Sequence, residues 1–154
     1  MLAAVFAAAL IASPPQSDEL SRNVVIDVCL PFVNGETDRT ALDALGFVVA
    51  SQEGPVTELV SPDERQRYQL RLVADDGDEE DGEVARVCLL QARSAGLDAV
   101  KGAVRRPLEQ AGFVLDPAVP ANRPIWTRQG VTVSIRQNEG HATMVRVTYS
   151  SLDQ

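Results

Sequence analysis

The sequence predicts an α+β domain in which two or three helices pack on an antiparallel sheet of about five or six strands. Three observations carry this expectation. A helix ending in Gly-Phe is written twice, at Ala41–Phe47 and at Pro107–Phe113. Each copy is followed by strand-like runs, clearest where Val131, Val133 and Ile135 alternate with Thr132, Ser134 and Arg136. Leading into and through the second copy, Leu97, Val100, Val104, Leu108 and Ala111 recur at spacings of three and four, which draws one apolar stripe along the second helix. The chain therefore reads as a helix-then-strands unit used twice, over roughly 37–92 and 97–150, within a single domain spanning 18–154.

The elements follow in order. Residues 1–17 open with an uncharged apolar run, Met1 to Ala12, too short to span a bilayer and of the length of a secretory h-region. Ser13-Pro14-Pro15-Gln16-Ser17 then breaks the chain, so the segment reads as a signal peptide cleaved near 12–17. Leu20, Val24, Val28 and Phe32 fit one helical face, and Pro31 or Asn34-Gly35 ends that helix. In the two repeated helix ends, Gly46 and Gly112 suit the left-handed position that terminates a helix. Counting back makes Leu42 and Leu108 the apolar partners of Phe47 and Phe113.

Strands are expected over Thr57–Ser61, Tyr68–Ala74 and Val84–Gln91 in the first unit. In the second they are expected near Arg123–Arg128, Val131–Gln137 and Thr143–Ser150, with Ala85-Arg86-Val87-Cys88 resembling Val145-Arg146-Val147-Thr148. Pro107 either kinks the second helix or starts a new one, because an interior proline lacks the N–H donor and crowds the preceding turn.

The residue inventory narrows the chemistry. The chain has 154 residues, 23% of them charged, and a formal net charge of −8, which disfavours nucleic acid and anionic membrane surfaces as general partners. Asp75–Glu83 is rich in carboxylates, but an EF-hand frame with Gly82 at the sixth place puts Gly77 first and Cys88 twelfth, so the key ligands are missing. His141, the only histidine, falls at a hairpin tip and reads as a turn residue. No nucleophile elbow or phosphate-binding loop is present, and no catalytic residue, metal or cofactor is implied.

Cys29 and Cys88 are the only cysteines and lack C-x-x-C spacing. In an exported chain they read as one intramolecular disulfide, with two buried reduced thiols as the alternative. Strand alternation further sends Arg71, Arg86, Arg136 and Arg146 to the sheet face opposite the helices, with Trp126 as an aromatic anchor beside them. The expectation is an exported, non-catalytic binding or accessory protein of a bacterial periplasm or cell envelope. It is not an integral membrane protein after processing, and it docks a protein or an anionic envelope component through that face. A carboxylate-dependent hydrolase and a structural subunit of an envelope assembly are the alternatives.

Overall fold

The structure, a computed structural model, describes residues 18–75 and 83–153. The segment read as a signal peptide and most of the acidic run weighed for calcium therefore lie outside the described residues. Among the described residues no helix is long and apolar enough to cross a membrane.

The fold is α+β, with one antiparallel sheet of eight strands in the order β1-β2-β3-β4-β8-β7-β6-β5. The strands are β1 (Val48–Glu53), β2 (Val56–Val60), β3 (Tyr68–Asp75), β4 (Ala85–Ala92), β5 (Val114–Leu115), β6 (Ile125–Arg128), β7 (Val131–Arg136) and β8 (Thr143–Ser150). Each unit is a four-stranded meander, and the order is symmetric about the central β4–β8 pair. The sequence expectation of five or six strands is corrected to eight by β1 and β5, the two edges. Strand β5 is only two residues long. Strand β1 carries a bulge at Ala50, because Val49 pairs with Leu59 and Ser51 with the next residue back, Glu58. An extra residue breaks the alternation by which a strand is recognised, and both devices blunt an edge against pairing with another chain.

One correspondence between the units is also corrected. Equating Ala85–Cys88 with Val145–Thr148 matches buried Cys88 to Thr148, yet β4 turns Cys88, Leu90 and Ala92 inward while β8 turns Thr143, Val145 and Val147 inward. A shift of one residue in a strand exchanges its two faces.

The helices all lie on one side. The N-terminal run is α-helical over α1 (Glu19–Asn23), π-helical over Val24–Cys29 and α-helical again over α2 (Leu30–Val33). Pro31 explains the wide turn: it has no N–H to give the carbonyl of Asp27, and its ring would crowd that carbonyl in a regular α-helix. Asp18 caps the start, accepting from the Ser21 N–H at 3.2 Å and from its hydroxyl at 2.6 Å. The buried face of the run, Val24, Val25, Val28, Cys29 and Val33, packs on β4 and β8.

Helix α3 (Thr40–Leu45) leans on that run, and α4 (Leu97–Gln110) covers the β5–β7 half of the sheet. Helix α4 runs unbroken through Pro107. Both Gly-Phe ends form as expected. Phe47 N–H donates to Leu42 and Gly46 N–H to Asp43, while Phe113 donates to Leu108 and Gly112 to Glu109. Gly46 and Gly112 have φ of +75° and +85°, the left-handed conformation in which a Cβ is costly. Arg128 reinforces the second end, its Nη1 donating to the Ala111 carbonyl at 2.6 Å while its guanidinium sits 4.7 Å over the Phe113 ring.

Cys29 and Cys88 are joined in a disulfide across 59 residues, and both are fully buried. The bridge ties the π-helical segment to the central strand.

Candidate functional site

With every helix of the described residues on one side, those residues leave the other face of the eight-stranded sheet uncovered. Its composition follows from strand parity. Inward residues Leu70, Leu72, Val133, Ile135, Val145 and Val147 are all buried, as expected, so their neighbours Arg71, Arg136 and Arg146 are exposed on the open face.

The register places these three arginines. Arg71 and Arg146 flank Leu89 on either side, because Leu89 of β4 pairs with Arg71 of β3 and with Arg146 of β8. Arg146 pairs across to Ser134, and Met144 to Arg136, so Arg136 and Arg146 are diagonal neighbours on β7 and β8. Arg71 has an acid beside it, with Nε 3.9 Å from Oε1 of Glu58 on β2 and both side chains about half exposed, 53% and 52%. Such a surface pair contributes at most about 1 kcal/mol. Neither Arg136 nor Arg146 makes an ion pair or side-chain hydrogen bond among the described residues.

Two of the residues expected on this face are elsewhere. Arg86 shares the parity of Cys88, which points inward to meet Cys29, so Arg86 also projects to the helix side. A Cβ on Gly35 of the loop after α2 would lie 2.9 Å from its Nη1. Trp126 pairs with buried Val133 and is itself fully buried, so it fills the core rather than anchoring a surface ligand; its Nε1 has no hydrogen-bond partner among the described residues.

In their place the open face carries apolar side chains that were not anticipated. Val56, Val73 and Val87 form a cross-strand row on β2, β3 and β4, and Leu89 and Met144 lie beside the arginines, all of them partly exposed. The signal was present in Val84–Leu90, an apolar run interrupted only by Arg86. A run apolar at consecutive positions, not alternate ones, marks a strand with apolar side chains on both faces. A shallow depression of about 290 Å³ opens on this face beside Glu58, Gln69, Arg71, Leu89 and Gln91.

A second concavity, about 210 Å³, lies on the helix side between Val28, Phe32, Arg39, Leu42, Thr57 and Leu72. Asp38 at its mouth accepts from the Thr40 hydroxyl at 2.6 Å and the Thr40 N–H at 2.9 Å, and these bonds hold its carboxyl below the usual range. His141 is exposed in the β7–β8 turn, its Nδ1 2.8 Å from the Glu139 carbonyl. Among the described residues no three His, Cys, Asp or Glu side chains gather as a metal site would require.

No family model, curated protein or solved structure matches this chain. What defines the class of protein is therefore its own architecture: a doubled helix-and-meander sheet that the described residues cover on one face and leave open on the other.

Proposed function

We propose that this is a small exported, non-catalytic binding or accessory protein of a bacterial periplasm or cell envelope, and that it docks an anionic component on the open face of its sheet. The observation that carries the reading is the pair Arg136 and Arg146. They are two exposed cations with no acidic partner among the described residues, set beside partly exposed apolar side chains on a chain of net charge −8. Guanidinium groups bind carboxylates and phosphates through two parallel hydrogen bonds, and adjacent apolar surface adds contact area. Export is supported by the apolar segment Met1 to Ala12 and by the Cys29–Cys88 disulfide, a bond that persists in oxidising compartments.

The test uses poly-glutamate and phosphatidylglycerol vesicles as anionic probes, with poly-lysine as the cationic control. The wild type should retain at least one anionic probe, and Arg136→Glu with Arg146→Glu should release it while leaving the thermal midpoint nearly unchanged. Equal retention by wild type and double variant would overturn the reading. Amino-terminal sequencing of protein recovered from the periplasm of a bacterial host should give a start near 12–17.

A further inference from the structure

We propose that the occupant of the open face is an extended acidic polypeptide segment with carboxylates at alternate positions, followed two residues later by an apolar side chain. This rests on the reading of the open face as an anion-docking surface and adds the geometry of the ligand. The diagonal from Arg136 to Arg146 continues, by the same step, to Val87: Arg146 pairs with Leu89, and Val87 is two residues from Leu89 on β4. Diagonal neighbours on adjacent antiparallel strands lie about 7–8 Å apart. Side chains at alternate positions of an extended chain share a face and recur about every 6.6–6.8 Å. A segment lying along this diagonal presents its first and third side chains to Arg136 and Arg146 and its fifth to Val87.

The surroundings favour that order. Val87 continues across the sheet into Val73 and Val56, so the fifth side chain arrives on apolar surface, whereas the first two arrive over Met144 and Ser134 beside the guanidiniums. Arg71 is a weaker partner because Glu58 already sits beside it. The net charge of −8 selects against an anionic surface of large extent. An anionic bilayer faces the whole molecule, whereas a narrow segment meets the arginine pair, and charges farther off than the roughly 8 Å screening length of physiological salt act on it weakly.

The experiment measures binding of fluorescent peptides to the intact, disulfide-bonded protein. One peptide has glutamates at its first and third positions and valine at its fifth, with serine between. A second has the glutamates adjacent, and a third has lysines in place of the glutamates. Inorganic phosphate and phosphatidylglycerol vesicles are measured in parallel. The alternating glutamate peptide should bind about two- to fivefold more tightly than the adjacent one, the gain from one further exposed charge pair when geometry lets both form. Arg136→Glu with Arg146→Glu should abolish that binding and confer binding of the lysine peptide, which shows that the variant is folded and the face is the site. Equal affinity for the two glutamate peptides would overturn the extended geometry. Binding of phosphate or vesicles alone, lost in the double variant, would overturn the polypeptide ligand while leaving the anion-docking reading standing. Binding of no anionic probe would overturn both.

Discussion

Two glycines ten residues apart should respond in opposite directions to the same substitution. Gly102 lies inside α4 with no atom within 4 Å of where a Cβ would stand other than its chain neighbours and its own helix backbone. Alanine there has nothing to collide with, restricts the unfolded chain, and should stabilise the protein by about 0.4–1 kcal/mol. Gly112 ends the same helix at a φ of +85°. A Cβ there would meet only Cδ of Arg128 at 3.6 Å, an ordinary contact, so the penalty is one of backbone conformation. It should amount to about 1–2 kcal/mol. The two alanine variants should therefore differ by about 1.5–3 kcal/mol, or several degrees in thermal midpoint for a chain of this size. Urea unfolding with an unchanged slope measures both. Gly112→Asn should recover part of the loss, since asparagine tolerates the left-handed region better than alanine. A shift of the same sign at both positions, or a gain from Gly112→Ala, would refute the assignment of Gly112 as the helix-ending residue.

Replacing Cys29 and Cys88 together by alanine should cost about 4 kcal/mol, the chain-entropy value for a closed loop spanning 59 residues; a loss under about 1 kcal/mol in urea would contradict it. Trp126→Ala should cost about 3–5 kcal/mol, as truncation of a buried aromatic does, yet leave anion binding intact because the indole lies on the covered side. Burial, together with the Asp18 carboxyl that accepts the hydroxyl at 3.0 Å, raises the Tyr68 phenol above its ordinary value of 10.0. A pKa raised on folding gives stability that is complete below the unfolded value and is lost as pH rises through the folded one. The difference in stability between wild type and Tyr68→Phe should therefore be flat below about pH 10 and shift toward the variant above it. A difference that stays constant through pH 11 would be the contrary result.

Much of the fold is legible because the informative residues act locally. The Gly-Phe helix ends are set by a single backbone conformation and one carbonyl three residues before the cap, so Leu42 and Leu108 could be named from spacing. Strands β7 and β8 are buried on one face only, and their alternation is correspondingly clean. The elements that escaped are those whose existence depends on neighbours. Two-residue β5 is a strand because β6 pairs with it, and β1 survives its bulge because β2 lies alongside. The π-helical turn also had a local cause in Pro31, but that residue reads equally well as a helix end. Only the continuation of the buried stripe through Leu30 and Val33 resolves it.

The arginine face was half legible, and the half that failed was constrained by the cysteines. A disulfide from Cys88 to a helix requires Cys88 to point toward the helices, and in a strand that fixes Arg86, two residues away, on the same side. Arg71, Arg136 and Arg146 carry no such constraint, and each neighbours buried residues on its own strand. Removing Arg86 and Trp126 from the surface leaves a smaller and more directional cationic site. Its two guanidiniums, unpaired among the described residues, lie on one diagonal, and Arg71 stands apart beside Glu58. An evenly basic face would attract any polyanion in proportion to its charge. A diagonal pair leading onto valine, on an otherwise acidic molecule, would discriminate by spacing, so under the proposed docking role specificity is a matter of which carboxylates can reach both arginines at once.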